Sequence, residues 1–337
     1  MIKNRIEQAI ESKQGFAIWS YPKENALEIL FDEASGNEKF VMFPFDVDRE
    51  KAYQYQSQKT YKVTESELLE VHFHQIKDQI DTLSDKTNYV NDFHSFVNEL
   101  KSDSPTSKLV LAHAITKAIS VNPFQFFVNL HQQNKKQFVY LFFDGTDTFW
   151  TAATPETLVK EENDVVETMA LAGTKIPNQT GSLNWTDKEY EEHQLVVDYI
   201  VNEFSALGLS LSYQQEPKTV QAGYVWHLQT PMSCKLNGLN VLHLANHLHP
   251  TPAVCGTPKQ KAKSFILEHE QMNREYYCGF VGPMSKQKSH LFVNLRCAKL
   301  KNSSIKVFVG GGLLKNSDLE SEWEETINKS KTILSVL

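Results

Sequence analysis

Two Glu-x-x-Glu pairs, far apart in the chain, are the residues best suited to hold a hard cation. The first lies in Asp187-Lys188-Glu189-Tyr190-Glu191-Glu192-His193 and the second in Glu320-Ser321-Glu322-Trp323-Glu324-Glu325-Thr326. The first run continues to Ile200 with apolar residues at helical spacing, and Thr186 precedes it as a natural N-cap. Residues three apart on a helix are neighbours, so Glu189 and Glu192 share a face near the helix start, as do Glu322 and Glu325 on theirs. Carboxylates from two helices, without thiolate or imidazole, suit Mg2+, which takes a few carboxylates plus water and substrate oxygens. The plainer account is that glutamates at helix starts offset the helix dipole in water.

Other residues have the types that do chemistry. Lys108-Leu109-Val110-Leu111-Ala112-His113-Ala114 reads as a strand with one lysine among apolar neighbours. Such a lysine is unusual, and most snorkel to the surface or sit at a strand end. Glu156, in Thr154-Pro155-Glu156 after a hairpin, reads as an ordinary exposed strand-end acid. Gly173 ends the strand-like Glu167 to Thr174 and allows either a simple turn or close approach of the backbone to a ligand. His243 and His247 are spaced like half a zinc site, with His249 nearby. No third ligand or general-base glutamate completes that arrangement, so a helix with partly exposed histidines is the preferred reading. Gly310-Gly311-Gly312 lacks the spaced third glycine of a dinucleotide fingerprint and the Gly-Lys-Ser/Thr of a P-loop, but glycine amides can still hold a carboxylate.

The elements that must position these groups form a mixture of hairpins and helices. Ile2, Ile6 and Ile10 make a helical stripe, and strands are expected at Gly15 to Ser20, Ala26 to Phe31 and Phe40 to Phe45. Asp46 to Glu67 is polar and weakly patterned, as a mobile surface connection would be. Tyr89 to Leu100 has a helical apolar face. Phe138 to Phe143 and Thr148 to Ala153 flank the turn Asp144-Gly145-Thr146-Asp147. Tyr224 to Thr230, Tyr276 to Gly282, His290 to Leu300 and Ser304 to Gly312 read as further strands, the last two joined at Lys301-Asn302-Ser303. At 337 residues, 41% hydrophobic and 22% charged, the chain has the make-up of a globular protein with a large core. A net charge of -7 argues against nucleic-acid or anionic-membrane surfaces and leaves a small molecule as the partner. No apolar run is long enough to span a bilayer, and the four cysteines form no Cys-x-x-Cys pair, which points to reduced thiols and the cytoplasm.

Taken in order, these motifs resemble the chorismate-utilising enzymes, the family of anthranilate, aminodeoxychorismate, salicylate and isochorismate synthases. The resemblance is carried by Lys108 to Leu111, Thr154-Pro155-Glu156, Leu171-Ala172-Gly173-Thr174, Glu189-x-x-Glu192-His193 and His227-Leu228-x-Thr230. It continues through His249-Pro250-Thr251-Pro252-Ala253-Val254-Cys255-Gly256-Thr257-Pro258, Arg274 to Gly282, Arg296-Cys297-Ala298, Gly310 to Gly312 and Glu322-x-x-Glu325-Thr326-x-x-Lys329. It spans roughly Lys108 to the C-terminus. Residues 1–100 are a generic part of the same domain, and residues 101–337 are the chorismate-binding catalytic region.

Through the His-Pro-Thr-Pro-Ala run the chain is most similar to the isochorismate synthase branch. The resemblance implies an α+β fold in which two large antiparallel sheets pack face to face and are surrounded by helices. It implies magnesium-dependent addition of water at C2 of chorismate with loss of the C4 hydroxyl. Lys108 would be the base on the water and Glu156 the acid on the leaving hydroxyl. Apolar neighbours and nearby positive charge favour a neutral lysine, while Glu156 must keep its proton. Glu192 and Glu325 would ligate magnesium directly, with Glu189 and Glu322 acting partly through water, and the metal would bind the C1 carboxylate. Arg296, Lys329 and the Gly310 amide would hold the enolpyruvyl carboxylate. Gly173, Thr174 and His227 would line the ring, with Ala253 leaving room beside it. The chain departs from the family pattern at Ala112, His113, Thr154 and Lys175, which touches the packing around Lys108 but no acid, base or ligand.

Two alternatives accompany this reading, a salicylate synthase that goes on to eliminate pyruvate and a non-catalytic chorismate-binding regulator. The chain is expected to act as a monomer without a glutamine amidotransferase subunit, in either menaquinone or siderophore biosynthesis.

Overall fold

Apolar strands covered on both faces build most of the molecule. In Phe16–Ser20, Phe16 and Ile18 enter one cluster of buried residues while Ala17 and Trp19 enter another. The side-chain period of two thus serves two cores rather than a core and a solvent face. The computed structural model describes residues 2–73, 83–84, 86–118, 121–175, 183–301 and 303–337. Among these, strands assemble into antiparallel sheets of ten and nine, accompanied by eight helices. The sheets pack face to face: the Trp19 ring of the first lies 5.2 Å from Phe40 of the second, and Phe138 stacks on Phe292 at 4.1 Å. On the far side of the first sheet, Phe16 and Leu141 share a buried cluster with Ile6 of helix Ile2–Glu11 and Phe127 of helix Pro123–Gln133. This is the expected α+β arrangement.

Residues 1–100 are woven into both sheets. Phe16–Ser20 pairs with Phe138–Phe143 in the first, and Glu38–Phe43 pairs with Phe280–Met284 in the second. The polar run from Asp46 to Glu67 is not a mobile connection. It contains strands Tyr53–Ser57 and Tyr61–Val63, followed by helix Glu65–Leu69 under a Thr64–Glu67 capping box. Both strands lie at sheet edges, where one side faces water and polar residues are expected.

The run from His290 to Leu300 is also not one strand. Lys288–Val293 belongs to the second sheet and Cys297–Lys301 to the first. The crossing is set by Asn294, which is buried, accepts from the Tyr140 hydroxyl at 2.9 Å and donates to the Tyr276 carbonyl at 2.9 Å. Arg296 then adopts a left-handed φ of 50°. A second crossing runs beside it, from Phe149–Thr154 in the first sheet to Thr157–Glu162 in the second, through Pro155 and Glu156. The two crossings are tied together, Val293 N donating to Glu156 O at 3.0 Å and Ala153 N to Arg296 O at 3.2 Å. Glu156 and Arg296 are thereby brought to the same place. Asn302, in the expected turn before Ser304–Leu313, lies outside the described residues. No helix among the described residues is long and apolar enough to cross a membrane.

Candidate active site

Beside these crossings a cavity of about 630 Å³ opens. Its walls include Glu156, Gly173, Thr174, Glu192, His227, Ala253, Arg296, Gly310 and Lys329, all singled out from the sequence. Val254, Tyr277, Cys278, Leu295 and Phe308 line it too and were not anticipated. They are apolar or weakly polar residues whose strand pattern signals a core, and nothing in their types distinguishes a cavity wall from packing.

Lys108 is 0% exposed, which excludes the snorkelling account. It opens the strand Lys108–Ala118, which pairs with Ser304–Leu313 so that Val110 faces Gly312 and Ala112 faces Gly310. Its ammonium lies 2.9 Å from Glu192 Oε1, an ion pair outside hydrogen-bond angles. The fit depends on glycine: a Cβ on Gly312 would stand 2.6 Å from Glu192 Oε1 and 3.0 Å from Lys108 Cε. Lys108 therefore sits just behind the cavity wall, linked to the cavity through Glu192.

Glu156 is buried in the wall, and burial pushes its carboxyl up to about 8, although Lys108 and Lys329 pull the other way. It is a carboxylic acid that keeps its proton at neutral pH. Arg296, also buried, donates from Nη1 to Thr332 Oγ1 at 3.2 Å and from Nη2 to His227 Nε2 at 3.2 Å. Burial lowers it to about 10, still charged. No carboxylate among the described residues forms an ion pair with it. Burial, then Arg296, holds His227 neutral. Because Arg296 donates to Nε2, the ring proton is assigned to Nδ1, which donates to the Gly173 carbonyl at 3.0 Å. That carbonyl is turned by a bulge between Ala172 and Thr174, where Gly173 has a φ of 72°. The glycine is thus required by backbone conformation.

The four glutamates of the two helix pairs each meet a lysine. Glu192 faces Lys108, Glu325 lies 2.6 Å from Lys329, Glu322 3.1 Å from Lys188, and Glu189 3.1 Å from Lys175. Glu189 is also bound into a capping box with Thr186, so the helix-start account holds for part of its role. No three His, Cys, Asp or Glu groups among the described residues stand together as a metal cage. The carboxylates do converge on the glycine strand: a Cβ on Gly311 would lie 3.5 Å from both Glu322 Oε2 and Glu325 Oε1. Burial, then the neighbouring Glu325, pushes Glu322 up to about 7. An all-oxygen donor set, without thiolate or imidazole, fits magnesium. Lys175 and Lys188 were not read from the sequence as partners, because helix spacing says nothing about which distant side chains meet.

The histidine-rich helix Val241–Leu248 lies apart from this set of residues. His243 and His247 stack at 6.4 Å, and His247 Nε2 is 2.7 Å from Glu203. All four cysteines are free and buried.

A model of the chorismate binding enzymes matches residues 37–337. The chain belongs to that family. The match begins well before Lys108, so the family's pattern extends into the stretch that had looked generic. Among its relatives, the isochorismate synthase MenF of Escherichia coli is 34% identical over 206 residues, 59% of this chain and 47% of that one. The isochorismate synthase EntC of the same organism is 33% identical over 194 residues, 55% and 50% of the respective chains. The chain thus spans about half the length of the curated relatives it matches. The solved structure of the Escherichia coli menaquinone-specific isochorismate synthase superposes with a TM-score of 0.78 at 21% identity, covering 98% of this chorismate-binding enzyme and 91% of that chain. The likeness establishes the fold.

Proposed function

We propose that the protein is an isochorismate synthase, adding water at C2 of chorismate while the C4 hydroxyl leaves and the ring double bonds shift. One observation carries this reading. Glu156, a buried acid that keeps its proton, shares a site with the buried Lys108, whose charge acts on it. Similarity to isochorismate synthases supports the same choice.

In this reaction Lys108 takes a proton from water as the water oxygen bonds to C2. The ring electrons shift, the bond from C4 to oxygen breaks, and Glu156 gives its proton to the departing oxygen, which leaves as water. One proton is taken up and one is given, so the step balances. Each proton transfer is typically worth about a hundred to ten thousand fold. Arg296, fixed by Thr332 and His227, receives the enolpyruvyl carboxylate together with Lys329 and the Gly310 amide. Gly173, Thr174 and His227 face the ring, and the small Ala253 leaves it room. Glu192 and Glu325, with Glu189 and Glu322, would hold Mg2+, which would neutralise and orient the C1 carboxylate. Residues 101–337 carry all of these groups. On this reading the chain works as a cytoplasmic monomer without a glutamine-hydrolysing subunit, and its product feeds menaquinone or catechol siderophore synthesis.

The test is to incubate the purified protein with chorismate and magnesium and to identify the products by chromatography and proton NMR, with a chelator as control. Isochorismate that disappears with the chelator is expected. Salicylate with pyruvate would place the chain in the lyase branch, and unchanged, bound chorismate would make it a binding protein; either result overturns the proposal.

A further inference from the structure

Behind the cavity wall lies an ion pair that no step above uses. Glu270 caps the C-terminal end of helix Lys259–His269, and Arg274 follows in the connection to the next strand. Both side chains are buried, with Arg274 Nε 2.6 Å from Glu270 Oε2 and Nη2 2.8 Å from Oε1. The hydrogen bonds left over go to the backbone of two different parts of the wall. Arg274 Nη2 donates to the Val110 carbonyl at 2.6 Å and Nη1 to the Val254 carbonyl at 2.8 Å, while Ala112 N donates to Glu270 Oε1 at 2.8 Å. The Phe45 ring lies against the guanidinium, 4.5 Å from it.

The two walls matter for different reasons. Val110 stands two residues beyond Lys108 on the same strand and so shares its face. Val254 follows Ala253. Apart from the fork, the walls are joined by Val110 N donating to Cys255 O at 2.8 Å and by the short pairing of Gly256–Thr257 with Leu109 and Lys108. Removing two charges from water is costly, and apolar residues of similar volume often hold a fold as well. What apolar residues cannot do is grip two carbonyls and an amide at fixed distances.

We infer that Glu270 and Arg274 form a positioning clamp that sets the base-bearing strand against the Ala253 loop and so holds Lys108 in register with the bound ring. The inference rests on the isochorismate synthase reading and adds two positioning residues to it.

Steady-state kinetics on chorismate with two variants tests this. Arg274→Lys keeps the charge and loses the planar fork, and the double variant Glu270→Met/Arg274→Met removes both charges while keeping bulk. Wild type is measured first: if it makes no isochorismate, the functional reading fails before the clamp is examined. With active wild type, each folded variant is expected to lose ten- to a hundred-fold in kcat with KM within about threefold, since small misplacements of a reacting group cost rate rather than binding. Thermal unfolding and circular dichroism identify which variants are folded. A folded variant with wild-type kcat, or one in which KM alone changes, overturns the clamp. Failure of both variants to fold would show the pair to be structural and overturns it equally.

Discussion

Lys108 and Glu192 meet at 2.9 Å, the lysine wholly inside the protein and the glutamate on the cavity wall. The lysine meets the cavity wall at Glu192 and beside Gly312. Lys108→Ala should lower kcat by roughly a hundred to ten thousand fold. Glu192 keeps partial access to water, so the variant should remain folded, which circular dichroism would check.

The glycine strand gives a graded test of the same contact. Gly312→Ala puts a methyl group 2.6 Å from Glu192 Oε1 and 3.0 Å from Lys108 Cε. Both neighbours are ends of flexible side chains, so the fold should survive while the ion pair is pushed apart and kcat falls at least tenfold. Gly311→Ala meets only ordinary contact at 3.5 Å and should be much milder. Equal kinetics for the two variants would contradict the arrangement.

Glu156 makes a pH prediction with a definite sign. Its carboxyl is raised from 4.5 to about 8 by burial. The proton donor is therefore lost as pH rises through about 8, and kcat/KM should fall there; Glu156→Gln should be slow and lack that limb. Stability follows the same linkage. Between about 4.5 and about 8 the unfolded chain releases this proton and the folded chain keeps it, so Glu156 makes stability decrease as pH rises across that window. Glu156→Gln should lessen that decrease, as chemical unfolding at a series of pH values would show.

Arg296 is expected to act on binding. Arg296→Met removes a charge-assisted hydrogen bond worth about 1.5 to 3 kcal/mol, which is roughly a ten- to hundredfold rise in KM. Thr332→Val removes only one support of the guanidinium and should raise KM less. The measurement is initial rate against chorismate concentration.

Much of this site was legible in the chain because its elements are strongly periodic. The Asp187–Ala206 helix starts at Thr186, and the Phe138–Phe143 and Phe149–Thr154 hairpin pairs across its Asp-Gly turn. What could not be read was decided by distant contacts. The break at Asn294 follows from hydrogen bonds to Tyr140 and Tyr276, and together with the backbone bonds between the two crossings it brings Arg296 to Glu156. The acidity of Glu156 is likewise a property of its burial, and the Glu270–Arg274 pair looks in sequence like an ordinary surface i, i+4 pair. Lys108 could not be settled from the sequence either, because its apolar neighbours fit a snorkelling or strand-end lysine as well, and its burial is a property of the fold.

In the proposed reaction water supplies the new hydroxyl at C2 while the old one leaves C4. Running the reaction in water enriched in heavy oxygen and analysing early isochorismate by mass spectrometry tests this directly. The account predicts one heavy oxygen per isochorismate formed, located at C2 by NMR, at a rate that Lys108→Ala suppresses. Isochorismate without heavy oxygen would mean that the hydroxyl migrates within the substrate, and would contradict the roles given to Lys108 and Glu156.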